Sequence, residues 1–462
     1  MFHSDKDVAF LRTWSQHLRL SSIKRIISPA QVKAALRKAR CHHTHCSRLT
    51  DALMVWFVVA LGLFCSDCHK QVYRWLLPWR KGVKGGGNGG GPGRSTICEA
   101  RSRLGVSPLV HLFKDVVRLC ARQQENPQAF YKGLRLMAID GFTLDIPDMP
   151  ANDKAFGRPQ NGKGAGAFPQ VQVLALMEAG THVFWRLVIK GAHAAETDMA
   201  RPLMRHLDSG MLLLQDRGFA SFDLVRLVMA QKAQLLARWK INRILEPIKV
   251  LADGSYLACL YENEKDRRKK ANGIMVRVIE YTLDEKARAG HMEKHRLITT
   301  LLDEHEHAAQ TLVELYHVRW EQELAIDECK THQLERPVLR SQTPAGVVQE
   351  VYGLMLGHYV LRVLMCQAAV GAKVPPTRIS FTGTLKILRC RLPECPASPL
   401  GRQVWWQRLL EEISEEQLPP RRNRINPRVI KRQQSPWLTK RHYHRLWPQP
   451  TLPFIESIVI RH

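Results

Sequence analysis

Between Tyr316 and Lys330 the chain reads YHVRWEQELAIDECK. A phenol, a guanidinium, a carboxylate and an ammonium stand at Tyr316, Arg319, Glu323 and Lys330, at successive intervals of three, four and seven. Glycine and proline are absent, and Leu, Glu, Ala and Lys recur, so the pattern predicts a helix. At 3.6 residues per turn the four side chains share an arc of about 60°. Glu321 and Glu328 fall roughly on the opposite side. A solvated face laced with i,i+4 ion pairs has similar spacing, so the stripe alone leaves both readings open.

Two more carboxylates lie upstream. In LRLMAIDG, Asp140 ends an apolar run that reads as a strand, and in MLLLQDRGF, Asp216 does the same. A buried strand ending in Asp before Gly or Arg-Gly predicts a carboxylate at a sheet edge with a turn beyond it. Three carboxylates from two strand ends and one helix can bind a pair of divalent metals. Such a pair activates water or a 3′ hydroxyl and stabilises the leaving oxygen in phosphoryl transfer.

The elements that must hold these groups can be traced along the chain. Residues 1 to about 50 read as basic and helical, with Ser28-Pro29 as a helix start. Ala52 to Leu77 continues as apolar helix, and the apolar run Ala52 to Phe64 is too short to span a bilayer. Cys41-HHTH-Cys46 and Cys65-SD-Cys68 carry zinc-ligand types, but Val55 to Phe64 between them reads as a buried helix instead of a finger loop. The glycine-rich stretch 82–93 reads as a flexible linker or loop tip, without the Gly-Lys-Ser/Thr ending of a phosphate loop. Strands are predicted at Leu134 to Ile139, Val171 to Met177, Val183 to Ile189, Met211 to Gln215 and Gln234 to Trp239. Helices are predicted at Glu196 to Leu207 and Phe222 to Gln231, and the order is β-β-β-α-β-α-β. Short β-like runs with charged turns fill 240–310, where EKDRRKK is either solvated or laid on DNA backbone. Thr343 to Gln367 reads as a long apolar helix. Arg421 to Arg445 holds nine Lys or Arg and no acid, with Trp437 and Tyr443 inside it and Trp447 just beyond.

Composition narrows the function classes. The chain has 462 residues, enough for two or three domains. Its net charge of +27 suits a polyanion, most simply nucleic acid, and disfavours a small-molecule enzyme. A ribosomal-type or membrane-surface protein carries similar charge. Eleven scattered cysteines and no recognisable signal peptide predict free thiols in a reducing cytoplasm.

Tyr-x2-Arg-x3-Glu-x6-Lys, with DGF at Asp140 and DRGF at Asp216, resembles the three acidic motifs of DDE transposases of the insertion sequence four (IS four) family. The order and spacings fit, and the likeness runs from about Gln31 to about Arg441. Phe142 departs from the small hydroxyl residue common in relatives, and the glycine-rich insert is also unusual. The resemblance implies an α/β fold with an RNase H-like catalytic core and a β-rich insertion, in which the strands carrying Asp140 and Asp216 lie side by side. The implied segments are a helical DNA-binding domain at 1–130 and core at 131–239. The insertion follows at 240–310, the second part of the core with the Glu helix at 311–375, and a basic helical or irregular region at 376–462.

The implied activity is cleavage of transposon ends and joining to target DNA. Asp140, Asp216 and Glu323 would hold Mg²⁺ or Mn²⁺, two ions per site, and Tyr316, Arg319 and Lys330 would bind DNA phosphates. The implied partners are double-stranded DNA and a second copy of the chain on paired ends, with no membrane and no small-molecule cofactor. The implied setting is the bacterial nucleoid. A catalytically silent DNA-binding relative and a metal-dependent nuclease are the alternatives. Among nearby residues, Asp145 and Asp148 lie just past the first strand, Asp223 is expected to cap a helix, and Asp327 sits at the edge of the stripe. Arg217 is expected as an ion-pair partner or DNA contact. Asn152, Phe156 and Gly157 fit a family segment of unassigned role.

Overall fold

A computed structural model describes residues 23–41, 49–76, 92–161, 164–285, 292–317, 319, 321–396, 398–419, 429–430, 438–439 and 451–460. Among the described residues, five α-helices come first: α1 (Pro29–Lys38), α2 (Asp51–Leu63), α3 (His69–Leu76), α4 (Arg94–Leu104) and α5 (Ser107–Val116). Next are β1 (Leu134–Asp145), α6 (Pro150–Phe156), β2 (Gln170–Glu178) and β3 (Val183–Gly191). They lead to α7 (Glu196–Met204), β4 (Met211–Gln215), α8 (Phe222–Ala230) and β5 (Gln234–Arg238). The insertion supplies β6 (Pro247–Val250), β7 (Tyr256–Leu260), α9 (Glu264–Lys269), β8 (Ile274–Leu283) and β9 (His295–Thr299). The chain then forms α10 (Ala309–His317), α11 (Glu321–Asp327), α12 (Pro344–Ala372), α13 (Phe381–Arg391), α14 (Pro399–Glu415) and β10 (Ile458–Ile460). The strand-and-helix order of an RNase H-like α/β core is present, with α6 added between β1 and β2.

The chain divides into two compact units, one of Met1–Ala129, Gly141–Ala195 and Gln322–Leu418, the other of Phe130–Asp140, Glu196–Glu321 and Pro419–His462.

In the first unit, α2 is apolar all round, and every residue from Leu53 to Leu63 is buried, as a core helix must be. Its main partner is the 29-residue α12, capped by the Thr343 hydroxyl, which accepts from the Gly346 N–H at 3.2 Å. The two helices touch backbone to backbone at Gly62 and Gly353. By length and apolarity α12 could cross a membrane, yet 83% of its most apolar window is buried against other elements. β2 and β3 form an antiparallel hairpin with Val173 opposite Ile189. Asn152 is fully buried, and its amide donates to the carbonyls of Pro147 and Ser341, which gives that family segment a structural role.

In the second unit, β1 pairs with β4 and β4 with β5, both parallel. β4 is buried along its whole length, which explains its unbroken apolar run. β9 pairs antiparallel with β5, β8 with β9, β7 with β8 and β6 with β7. The C-terminal β10 adds to β8 through Tyr281 and Ile460. Buried Arg277 of β8 donates to Ser255 Oγ (2.8 Å) and the His307 carbonyl (2.5 Å), and pairs with Asp253.

Four local expectations are corrected. β1 does not end at Asp140; it continues to Asp145, with Phe142 and Leu144 buried on alternate positions. The predicted helix from Tyr316 to Lys330 is not continuous. α10 stops at His317, Arg319 is in a 3₁₀ conformation, α11 starts at Glu321, and Glu328–Gln333 forms a π-helical turn. Asp223 makes no capping bond and instead pairs with Arg226 and Arg201. The charged EKDRRK forms α9, capped by Asn263, with Arg267 bonded to Glu264. The glycine-rich stretch and most of the basic stretch 421–445 lie outside the described residues.

Candidate active site

The parallel pairing of β1 with β4 sets Ile139 opposite Gln215. The next position on each chain is Asp140 and Asp216, so the register sets the two residues at neighbouring places on the sheet edge. Both are half-buried. β4 ends there because Arg217–Phe219 turns as a 3₁₀ helix, with the Phe219 N–H donating to the Asp216 carbonyl at 3.0 Å. The Gln215 amide donates to the Phe219 carbonyl at 2.8 Å and ties the turn to the strand end.

Tyr316 reaches this place from α10. Its hydroxyl lies 3.4 Å from Asp216 Oδ1 and 3.4 Å from the Gln215 carbonyl, and its side chain is buried. Burial pushes the phenol well up; the nearby Arg319 charge opposes this and Asp216 adds to it. The phenol therefore stays a hydrogen-bond donor. The hydroxyl expected on a DNA phosphate has these two protein oxygens within reach. The guanidinium of buried Arg319 stands 5.7 Å from the Tyr316 ring centre, within cation–π reach.

Exposed Arg217, next to Asp216, also lines a cleft of about 620 Å³ with Arg238, Lys240, Lys294 and Arg296. Arg296 is anchored: Nε bonds Glu280 at 2.6 Å, and Nη1 bonds the carbonyls of Lys240, Ile241 and Arg243. Arg238 Nη2 is 3.0 Å from His295 Nδ1, which must accept because a guanidinium only donates. Burial, then the Arg238 charge, lower the His295 pKa to about 4, so the ring is neutral at pH 7. The cleft concentrates positive charge on a concave surface, an arrangement that attracts phosphate.

Glu323 is half-buried on α11 in the first unit. Lys330 lies inside the π-turn, not two α turns along from Glu323 on an unbroken stripe. Asp327 accepts from the Thr331 hydroxyl at 2.6 Å. Glu328, expected on a solvated side, is the centre of a buried ionic cluster. It accepts from His182 Nδ1 (3.0 Å) and from Arg362 Nη1 (3.2 and 3.3 Å), and His358 Nε2 lies at 3.4 Å. Burial alone would push this carboxyl up; Arg362 and His182 overcome that and hold it well below the usual range. Sequence reading missed the cluster because the partners of Glu328 lie 30 (His358), 34 (Arg362) and 146 (His182) positions from it. The available signal was His358 and Arg362, four apart within an otherwise apolar helix.

Other candidates resolve into local roles. Asp145 Oδ1 accepts from Gln170 (2.7 Å), and Asp148 pairs with Arg158. Gly157 has φ +72°, and a Cβ there would press on His193. The Cys65 thiol donates to the Gly62 carbonyl at 3.3 Å, and burial pushes it up to about 12. Cys46 and its neighbouring histidines lie outside the described residues. Among the described residues, no three His, Cys, Asp or Glu side chains gather as a metal site. Carboxylate oxygens such as those of Asp140 and Asp216 are hard donors of the type Mg²⁺ and Mn²⁺ take.

The "Transposase DDE domain" family model matches residues 131–360, and the "Insertion element 4 transposase N-terminal" model matches 17–114. "Transposase InsG for insertion sequence element IS4" of Escherichia coli (strain K12) is 27% identical over 445 residues, 94% of either chain. "Putative transposase InsZ" of the same organism is 30% identical over 156 residues, 32% of this chain and 50% of that one. Among solved structures, a piggyBac transposase synaptic complex with hairpin DNA matches at a TM-score of 0.40 and 10% identity, over 93% of this chain and 84% of that one. That likeness is too loose to argue from.

Proposed function

The chain belongs to the DDE transposases of the IS4 family, and from that premise we propose that it cleaves the ends of its insertion sequence and joins them to target DNA at Asp140, Asp216 and Glu323. The observation that carries the reading is the β1/β4 register, which sets Asp140 beside Asp216 within the DGF and DRGF motifs. Bound Mg²⁺ or Mn²⁺, two ions in this proposal, would activate the attacking oxygen and stabilise the leaving one.

The chain's own groups do the rest. Asp140, Asp216 and Glu323 offer oxygen ligands. Tyr316 holds the Asp216 carboxylate by its hydroxyl, and so has a positioning role. Arg319 and Lys330 are assigned to phosphates next to the cut, Arg in a forked contact and Lys as a point charge. The cleft from Arg217 to Arg296 is assigned to the DNA backbone, which supplies salt-dependent affinity but no sequence reading. Two ends must be cut together, so the working form is a dimer on paired double-stranded ends. The segments 1–130, 131–239, 240–310, 311–375 and 376–462 keep their expected roles in this proposal, at work on bacterial nucleoid DNA.

A labelled duplex carrying the element's own end, mixed with a supercoiled target and Mg²⁺, tests the reading. The expected product is a covalent end–target joint. Cutting without any joint would give the nuclease reading, and binding without cutting the silent one.

A further inference from the structure

The π-helical turn Glu328–Gln333 begins five residues after Glu323 and contains Lys330. Its wide turn is closed by an i→i+5 bond from the Leu334 N–H to the Cys329 carbonyl, 3.0 Å. Such turns are rare, and they persist only where surrounding contacts hold them. Here both ends are held by buried side chains. At the start, Glu328 is bonded by His182 and Arg362, with His358 beside it, and all three partners have fully buried side chains. Arg362 is itself fixed by Nε to the Thr181 carbonyl at 2.6 Å. At the end, the Gln333 amide donates to the Gly62 carbonyl of α2 and the Leu354 carbonyl of α12, both at 2.8 Å. Cys329 between them is fully buried.

None of these groups is placed to touch DNA, yet the cluster brings two histidines, an arginine and a carboxylate into the interior. Burying an ion pair costs desolvation that a well-packed apolar set would avoid. A device that fixes orientation explains that cost better than stability does. We propose that Glu328 and Gln333 are positioning residues: by clamping the two ends of the π-turn to α2, α12 and the β2–β3 turn, they set the direction in which Glu323 and Lys330 are presented to the scissile phosphate. The proposal rests on the assignment of Glu323 to the reaction. It also links the helical N-terminal region to chemistry, because the α2 carbonyl that Gln333 grips belongs to that region.

The test uses the full chain and a labelled duplex carrying the element's own end. Glu328→Gln keeps the size and removes the charge. Gln333→Met keeps the length and removes both donated bonds. Three quantities are read for each variant: duplex affinity by gel retardation, single-turnover cleavage rate at saturating protein, and alkylation of Cys329 mapped by mass spectrometry. A misplacement of about 1 Å costs on the order of a hundredfold in rate, so cleavage is expected to fall by tenfold to a hundredfold (about that range) while affinity stays within about twofold. Cys329 alkylation is expected to rise.

Cleavage at the wild-type rate with Cys329 newly reactive would overturn the proposal. Parallel loss of affinity and cleavage would also overturn it, since that is what plain unfolding gives. If one variant fails to fold, the other carries the same reading from the opposite end of the turn. Glu323→Gln is run alongside. Normal cleavage in that variant sinks the assignment of Glu323 itself, an outcome distinct from normal cleavage in Glu328→Gln alone.

Discussion

Gly62→Ala puts a methyl group where two helices already touch. A Cβ built on Gly62 overlaps the Gly353 carbonyl and lies 2.9 Å from the Leu354 nitrogen. Ordinary contact needs about 3.5 Å. The neighbours are backbone, which cannot rotate away as a side chain would. The helices must therefore part by on the order of 1 Å. That separation loosens the packing of α2, buried from Leu53 to Leu63, on α12. Overpacking of a filled core costs about 3 kcal/mol at the upper end of the usual range. For a unit of this size, that predicts a melting temperature lower by about 6–12 °C. Parting the helices also separates the two carbonyls that Gln333 bridges, so DNA cleavage should fall with stability.

Gly371→Ala is the matched control on the same α12, because no atom beyond its own turn of helix lies within 4 Å of its built Cβ. There the gain of helix propensity predicts a stabilisation of about 0.5–1 kcal/mol. Differential scanning fluorimetry of the two variants decides the matter. Equal melting temperatures for Gly62→Ala and wild type would refute the close-approach argument.

Three further outcomes follow from the same contacts. Tyr316→Phe removes the hydroxyl beside Asp216, and a hydrogen bond worth about 1 kcal/mol predicts a roughly fivefold slower cleavage with unchanged DNA affinity; an unchanged rate would assign Tyr316 to packing alone. Arg277→Met takes the buried guanidinium from Asp253, which keeps the Ser255 and Ala309 donors, and leaves the His307 carbonyl without the donated bond, a loss of about 1–3 kcal/mol by thermal unfolding; a melt within error of wild type would contradict it. Acid should weaken the fold stepwise. Burial lowers His69 to about 3, helped by Arg101, and lowers His295 to about 4. The unfolded rings take up protons near pH 6.5 (roughly the free value) while the folded rings stay neutral. Stability is thus full above that pH and drains away as pH falls towards 4 (about the His295 value). Glu328, held below its free value, adds a second loss as pH falls further. Urea midpoints that stay level between about pH 7 and pH 4 would show these groups to be exposed.

Much of the fold was legible because buried parallel strands carry their own signature. β4 was bounded correctly at both ends by an apolar run and by the Arg-Gly turn. β1 was cut short because Asp140-Gly141 looks like a strand end, whereas Phe142 and Leu144 resume the alternation into the core. The Glu-bearing segment misled for a different reason. Composition favours helix from Tyr316 to Lys330, but tertiary contacts at Tyr316, Glu328 and Gln333 pull the backbone out of a single α-helix. Helical spacing then put Glu328 on a wet face, when its partners come from a strand turn and a helix far away in sequence. Periodicity reports which face is apolar; it cannot report a buried charge whose partners lie elsewhere.

The central claim is the Asp-Asp-Glu assignment, and cleavage of a labelled duplex carrying the element's own end, in Mg²⁺ and again in Mn²⁺, tests it most directly. Asp140→Asn, Asp216→Asn and Glu323→Gln keep shape while removing charge. The account predicts that each abolishes cutting in both ions while gel retardation stays at the wild-type level. Wild-type cutting by any one of the three would contradict it.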